Sequence, residues 1–320
     1  MSKKQFTRLG TGLAGALAGI ISFAYLRDMQ RAFERVRQKS AVLPTQYGDI
    51  EYTESGAGLP ALVIHGSGGG YDQGELIAEV LLGEGFRSIT PSRFGYLRST
   101  FHEGATFDDQ AHAYAVLLDH LGVERAAVVT ISHGGPSALL FALLHPERVS
   151  SLTLISAGVA AASSEDQGQA NRMGRTLTTV YNHNWLYWGL TTLFKKKFME
   201  LMGANQAVIA GLTPGQLELV ERVIEEMNPV SLRSAGAAFD NRAALPGERI
   251  AGVQAPTLIL HATDDMLQLY HNAAFAAATI PGAKLLRFES GGHLLFAVEQ
   301  EAVRSAVQEH IRENFGGRDR

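Results

Sequence analysis

The chain has 320 residues, 46% hydrophobic and 19% charged, with 28 basic against 32 acidic residues and a formal net charge of −4. That length supports one large domain or two ordinary ones around a full core, and the composition excludes a disordered chain. The near balance of charge provides no basic field, so a general role in binding nucleic acid is excluded. With no cysteine, disulfide scaffolds, thiol catalysis, iron–sulfur clusters and thiolate zinc sites are excluded as well.

The first element in chain order is Leu9 to Leu26, an uncharged stretch of 18 residues between Arg8 and Arg27, with Lys3 and Lys4 ahead of it. A helix of about this length is the minimum for crossing a bilayer. No cleavage site of small residues follows Leu26, so the expectation is an uncleaved single-pass anchor tethering the chain to a membrane, not a removed signal peptide. The rival is a helix packed on the protein surface, with the chain soluble in the cytoplasm, because four glycines and four alanines dilute the apolar character of this stretch. Residues 27–40 read as a basic helix carrying Arg27, Arg31, Arg35, Arg37 and Lys39. Basic residues on both flanks leave the membrane side open. Residues 1–40 therefore form a separate unit, expected to be dispensable for activity.

From there the pattern alternates. Residues 45–54 predict a strand, and Ala61 to Ile64 a buried parallel strand ending at His65-Gly66. Strands follow at 86–90, 126–131 and 149–156. An amphipathic helix is predicted over 106–121 and a further helix over 134–145, which stops before Pro146. The alternation resumes with a strand at 257–261, a helix at 268–279, a strand at 284–288 and a final helix at 295–314. Such alternation predicts an α/β fold with a mostly parallel sheet covered by helices on both faces. Residues 41–158 and 251–320 form this core. Residues 159–250 contain no convincing strand and read as a helical insertion. Within it Thr213-Pro214 starts a helix continued by Leu217, Val220, Val223, Ile224 and Met227.

The strongest chemical signal is Val128-Val-Thr-Ile-Ser132-His-Gly-Gly135, where a strand runs into Ser132 and a helix follows at once. A serine at such a corner is held on a strained turn with its hydroxyl exposed above the sheet. Gly134 is one of the small residues this turn needs, whereas Thr130 stands at the other small position. The bland alternative is a helix N-cap serine. After the strand at 61–64 comes the glycine-rich run His65-Gly-Ser-Gly-Gly-Gly70, suited to aiming a backbone N–H at a developing oxyanion. The expected donors are the N–H groups of Ser67 and His133. A dinucleotide loop is the main rival, but Tyr71 stands where the third glycine belongs and no acidic residue ends the next strand near Thr90. Asp265 and His293 follow the strands at 257–261 and 284–288. In the order Ser, Asp, His, they could supply a base and the carboxylate that orients it. Asp264 is the adjacent rival for the acid.

Together these pieces resemble the α/β-hydrolase superfamily, in the serine-nucleophile branch with an inserted helical cap. The resemblance runs from about residue 45 to the end. It rests on His65-Gly66, Ser92-Arg-Phe-Gly-Tyr-Leu-Arg-Ser99, Ile131 to Gly135, His145-Pro-Glu-Arg-Val149, Asp265 and Gly292-His293. The family's acid usually stands three residues after a glycine; here Ala262 holds that position and the count reaches Asp265. Ser92 replaces a common aspartate, and Gln268-Leu269 replaces a common Val-Pro. The resemblance implies a catalytic triad of Ser132, Asp265 and His293 working through an acyl-enzyme, with no metal or organic cofactor required. The implied partner is a small-molecule substrate, a small or medium apolar carboxylic ester or a related carbonyl compound. Carbon–carbon bond hydrolysis of a ring-cleavage diketone is the alternative. A cofactor-free oxygenase or perhydrolase, or a slow-turnover ligand-binding signalling protein, remain further readings. The aromatic residues Tyr181, Trp185, Tyr187 and Trp188 suit either a pocket above Ser132 or the insertion's own core, and Lys195-Lys196-Lys197 either a solvated helix face or contact with anionic headgroups.

Overall fold

A computed structural model describes residues 3–37, 39–160 and 165–315. Of the segments delimited above, residues 1, 2, 38, 161–164 and 316–320 lie outside the described residues. The chain opens with helix α1 (Lys3–Arg37) and continues through β1 (Ala41–Leu43), β2 (Ile50–Gly56), β3 (Leu59–Ile64), α2 (Tyr71–Leu81), β4 (Phe86–Pro91) and α3 (Phe107–His120). Next come β5 (Ala126–Ile131), α4 (Gly135–Leu144) and β6 (Val149–Ile155). Six helices then intervene: α5 (Glu165–Val180), α6 (Asn184–Leu193), α7 (Lys195–Leu201), α8 (Gln206–Gly211), α9 (Pro214–Glu226) and α10 (Ser234–Arg242). The core closes with β7 (Thr257–Ala262), α11 (His271–Thr279), β8 (Lys284–Phe288), α12 (Leu295–Val298) and α13 (Gln300–Phe315).

The eight strands form one sheet in the order β1-β2-β4-β3-β5-β6-β7-β8. The β1–β2 and β2–β4 pairs are antiparallel and the rest are parallel. Strand β5 shows why the middle is apolar in both directions. Val129 and Ile131 pack into the layer holding α2 and α13, while Ala126 and Val128 pack into the layer holding α3 and α4. A strand covered on both faces needs apolar residues at every position rather than at alternate ones. The first of those layers continues without a break into the insertion, where Tyr187, Val220, Ile224 and Met227 join it.

The structure departs from the sequence reading in four places. The strand expected over 45–54 begins only at Ile50, because a turn occupies Thr45–Gly48, and a short strand at Ala41–Leu43 precedes it unanticipated. Helix α2 had no counterpart: Gly70 and Gly74 hid a helix whose Leu76, Ile77, Val80 and Leu81 are all buried. Helix α12 ends at Val298, and α13 begins two residues later. The fourth concerns the amino terminus. Leu9 to Leu26 belongs to a single helix that also takes in the basic segment as far as Arg37. Among the described residues no helix is long and apolar enough to cross a membrane, so the expected spanning anchor is not supported.

The carboxyl-terminal half of α1 packs on the rest of the molecule. Met29, Ala32 and Val36 are buried. The Trp188 indole N–H donates to Asp28 at 3.0 Å, and Tyr25 meets the Trp188 ring edge-on. Arg35 pairs with Asp72 at the start of α2 and donates to the carbonyls of Glu226 and Asn228 at 2.7 and 2.6 Å. Arg233, from the insertion, grips the same Asp72 carboxylate with both guanidinium nitrogens at 2.9 and 2.7 Å. One buried aspartate thus joins the core, the insertion and α1.

Candidate active site

Ser132 sits where β5 ends, in a left-handed backbone conformation (φ 54°) that is costly for any residue with a side chain. The close approach that makes this turn possible is visible at Gly134. A Cβ there would lie 2.6 Å from the His65 carbonyl oxygen and 3.0 Å from that of Ile64, both backbone atoms that cannot move aside. Thr130 is accommodated because its hydroxyl donates to the Ile64 carbonyl at 3.2 Å, so this buried polar group is satisfied.

His293 and Asp265 come from loops after β8 and β7. His293 Nε2 lies 2.9 Å from Ser132 Oγ, and His293 Nδ1 lies 2.9 Å from Asp265 Oδ2. The other Asp265 oxygen accepts the N–H groups of Leu267 and Gln268, each at 2.9 Å, which fixes the carboxylate's orientation. Asp264 has a different task. Its oxygens accept from Gly292 N–H and from Asn205 Nδ2, both at 2.8 Å, so it braces the loop carrying His293 without touching the ring. The imidazole of His261, on β7, stands 3.6 Å from Asp265 and donates to the Gln268 carbonyl at 2.7 Å. Burial keeps that ring below its ordinary pKa and hence neutral, so it props the acid loop without competing for charge.

The glycine-rich loop after β3 is held from several directions. His65 is fully buried, and desolvation holds its pKa well below the ordinary value. As a neutral ring it donates from Nδ1 to the Gly66 carbonyl at 2.6 Å and accepts from Arg93 N–H at 2.8 Å. Gly66 N–H donates to Gln73 Oε1 at 3.0 Å. The Ser67 hydroxyl meets Tyr96 Oη at 3.2 Å; Tyr96 donates to Asp240 on α10 at 2.6 Å, and Arg93 holds that aspartate with two hydrogen bonds of 2.6 and 2.7 Å. Ser67 and His133 both line the cleft beside Ser132. Burial lowers the pKa of the His133 ring, so it lines the cleft as a neutral group.

The cleft above Ser132 has a volume of about 360 Å³ and is walled largely by the insertion. Of the four aromatics singled out, Tyr181 alone lines it. Tyr187 is core, donating to the Ile224 carbonyl; Trp188 packs on α1, and Trp185 is exposed. Of the lysine run, Lys195 pairs with Glu221 and Lys197 with Glu200 on the outer face. Sequence reasoning missed Asp240, Tyr96, Met202 and Gly203. Gly203 accepts His293 N–H at 3.4 Å, and a Cβ on it would lie 3.0 Å from that of His293, so the insertion presses on the histidine loop. No sequence signal joins such partners: Arg93 and Asp240 are 147 positions apart.

Comparison with known proteins agrees with this architecture. The α/β hydrolase fold family matches residues 60–300. An uncharacterised hydrolase of Bacillus subtilis is 31% identical, over 81% of this chain and 93% of that protein. A 2-hydroxymuconate semialdehyde hydrolase of Pseudomonas putida is 27% identical, over 81% of this chain and 89% of its own. The solved structure of a thermophilic esterase from Thermogutta terrifontis superposes with a TM-score of 0.66 at 22% identity, covering 86% of this chain and 98% of that one, a likeness of fold. By sheet order, by the corner at Ser132 and by these matches, the chain belongs to the α/β-hydrolase fold family and is a hydrolase.

Proposed function

We propose that the protein is a serine hydrolase that cleaves a small or medium apolar carboxylic ester through an acyl-enzyme. The observation that supports this most is the line from Ser132 Oγ to His293 Nε2 and from His293 Nδ1 to Asp265, with both hydrogen-bond distances at 2.9 Å. In this reading His293 takes the Ser132 proton as Oγ attacks the ester carbonyl. The backbone N–H groups of Ser67 and His133 receive the oxyanion, and the imidazolium then protonates the leaving alcohol. Water activated by His293 cleaves the acyl-enzyme and restores Ser132. Asp265 keeps Nδ1 protonated and steadies the imidazolium. Residues 159–250 act as the substrate-binding cap over a core formed by 41–158 and 251–320.

Carbon–carbon bond hydrolysis of a ring-cleavage diketone is the second reading, favoured by the relative named 2-hydroxymuconate semialdehyde hydrolase. Turnover of a panel of esters, amides and diketones, followed together with fluorophosphonate labelling, separates the two. Ser132→Ala is expected to abolish labelling and to lower turnover by about 10⁴-fold to 10⁶-fold. Labelling retained at another serine would refute the assignment.

A further inference from the structure

Two spaces of very different size meet at Ser132. The cleft described above opens on one side and mixes apolar residues such as Leu177 and Leu245 with the polar side chains of Asn171, Arg175 and Asn241. Behind the serine lies a second recess of about 40 Å³, walled by Leu76, Ile77, Ile131, Val223, Leu294 and Phe296. Ser67, Ser132, Met202 and His293 border both spaces. Gln73, the polar side chain at the edge of the recess, has its amide oxygen committed to Gly66 N–H. A water-sized group needs about 10–15 Å³ by this measure, so the recess holds about three non-hydrogen atoms. A carboxylate or hydroxyl placed there would give up its hydration for an apolar wall, which is costly.

We infer that the substrate is asymmetric about its scissile carbonyl: one arm is apolar and no longer than about three non-hydrogen atoms, and the other is large and carries any polar groups. This rests on the hydrolase reading above and narrows it. The shared chemistry is a short alkyl arm, whether on the acyl or the alcohol side of the ester. Most of the recess walls come from the core; Val223, from α9, is the contribution of the insertion that can be altered without touching the hydrogen-bonded line of Ser132, His293 and Asp265.

The test compares kcat/KM of the full chain on hexyl acetate, methyl hexanoate and hexyl hexanoate, with fluorophosphonate labelling of Ser132 as a separate readout. Hexyl acetate or methyl hexanoate is expected to exceed hexyl hexanoate by about 100-fold, since each methylene a pocket cannot hold costs at least tenfold. Whichever of the two is cleaved faster tells which side of the ester enters the recess. A preference of more than tenfold supports the inference, and one of less than tenfold overturns it. Val223→Ala should shrink the preference by enlarging the recess, and Val223→Phe should depress even the short-arm substrate. An unchanged preference in the alanine variant overturns the inference whether or not the phenylalanine variant folds. Labelled Ser132 with no ester cleaved overturns the inference alone, whereas unlabelled Ser132 with no turnover overturns the hydrolase reading beneath it.

Discussion

Asp265 and Asp72 are both buried carboxylates that grip nitrogen bases, yet they serve the molecule differently. Asp265 stands after β7 and hydrogen-bonds the imidazole of His293, a base that can gain and lose a proton. Asp72 stands at the start of α2 and meets two guanidiniums, Arg233 and Arg35, which stay charged at any working pH. Burial alone would raise the pKa of Asp72, but the charges and hydrogen bonds of Arg233 and Arg35 outweigh it and hold the carboxyl far below its ordinary value. The same physical device, a desolvated carboxylate with fixed partners, thus positions a mobile proton at one place and locks three segments together at the other. The difference lies in whether the partner can shed its charge.

The comparison is broken or sharpened by replacing each carboxylate in turn. Asp265→Asn is expected to lower kcat by about 10⁴-fold while leaving the unfolding midpoint nearly unchanged, because only the carboxylate fixes the histidine tautomer. Asp264→Asn, the same change one residue away, should cost less than about tenfold. If the two variants are equally crippled, the ring partner has been assigned to the wrong residue. Asp72→Asn should leave two buried or half-buried guanidiniums without their charge partner and cost about 3–5 kcal/mol in denaturant unfolding.

The sign of the pH effect follows from the lowered pKa of Asp72. Its stabilising contribution is fully present above the unfolded value near 3.8 and is lost as pH falls from there through the folded value. Wild-type stability should therefore fall more steeply below about pH 4 than that of Asp72→Asn. Equal slopes in acid unfolding would remove Asp72 from the account. The smallest effect is expected for Arg35→Ala, about 1–2 kcal/mol, because its side chain is partly exposed and Arg233 still holds the aspartate. No loss at all would mean that α1 rests on the body without securing it.

Much of the core was legible because its signals are local. The apolar run Ala126 to Ile131, the corner at Ser132 and the glycines around His293 each declare themselves within a few residues, and the three side chains come together in the structure. Between the neighbours Asp264 and Asp265, the spacing from Ala262 pointed to the one that meets the ring. What stayed hidden depends on contacts between distant residues. Nothing near Arg35 announces Asp72, so a basic stretch after an apolar one read as a membrane anchor and its flank. Helix α2 was masked because its start is part of the glycine run that also shapes the loop after β3. One helix of the insertion, begun by Thr213-Pro214, was visible, whereas Asp240, Met202 and Gly203 became functional candidates only once folding brought them beside Tyr96, Ser132 and His293.

The two bidentate pairs that fasten the insertion, Arg233 with Asp72 and Arg93 with Asp240, bear on how molecules travel to and from the serine. Swinging the insertion aside would separate both buried pairs and expose the apolar layer that Val220, Ile224 and Met227 share with the core, so the open arrangement is disfavoured. Traffic through a gate so rarely ajar would be slow. The exposed rim at Asn171, Arg175 and Asn241 offers a doorway that needs no such opening. Reactant and product would then share one passage, and the product would have to clear it before the next substrate could enter.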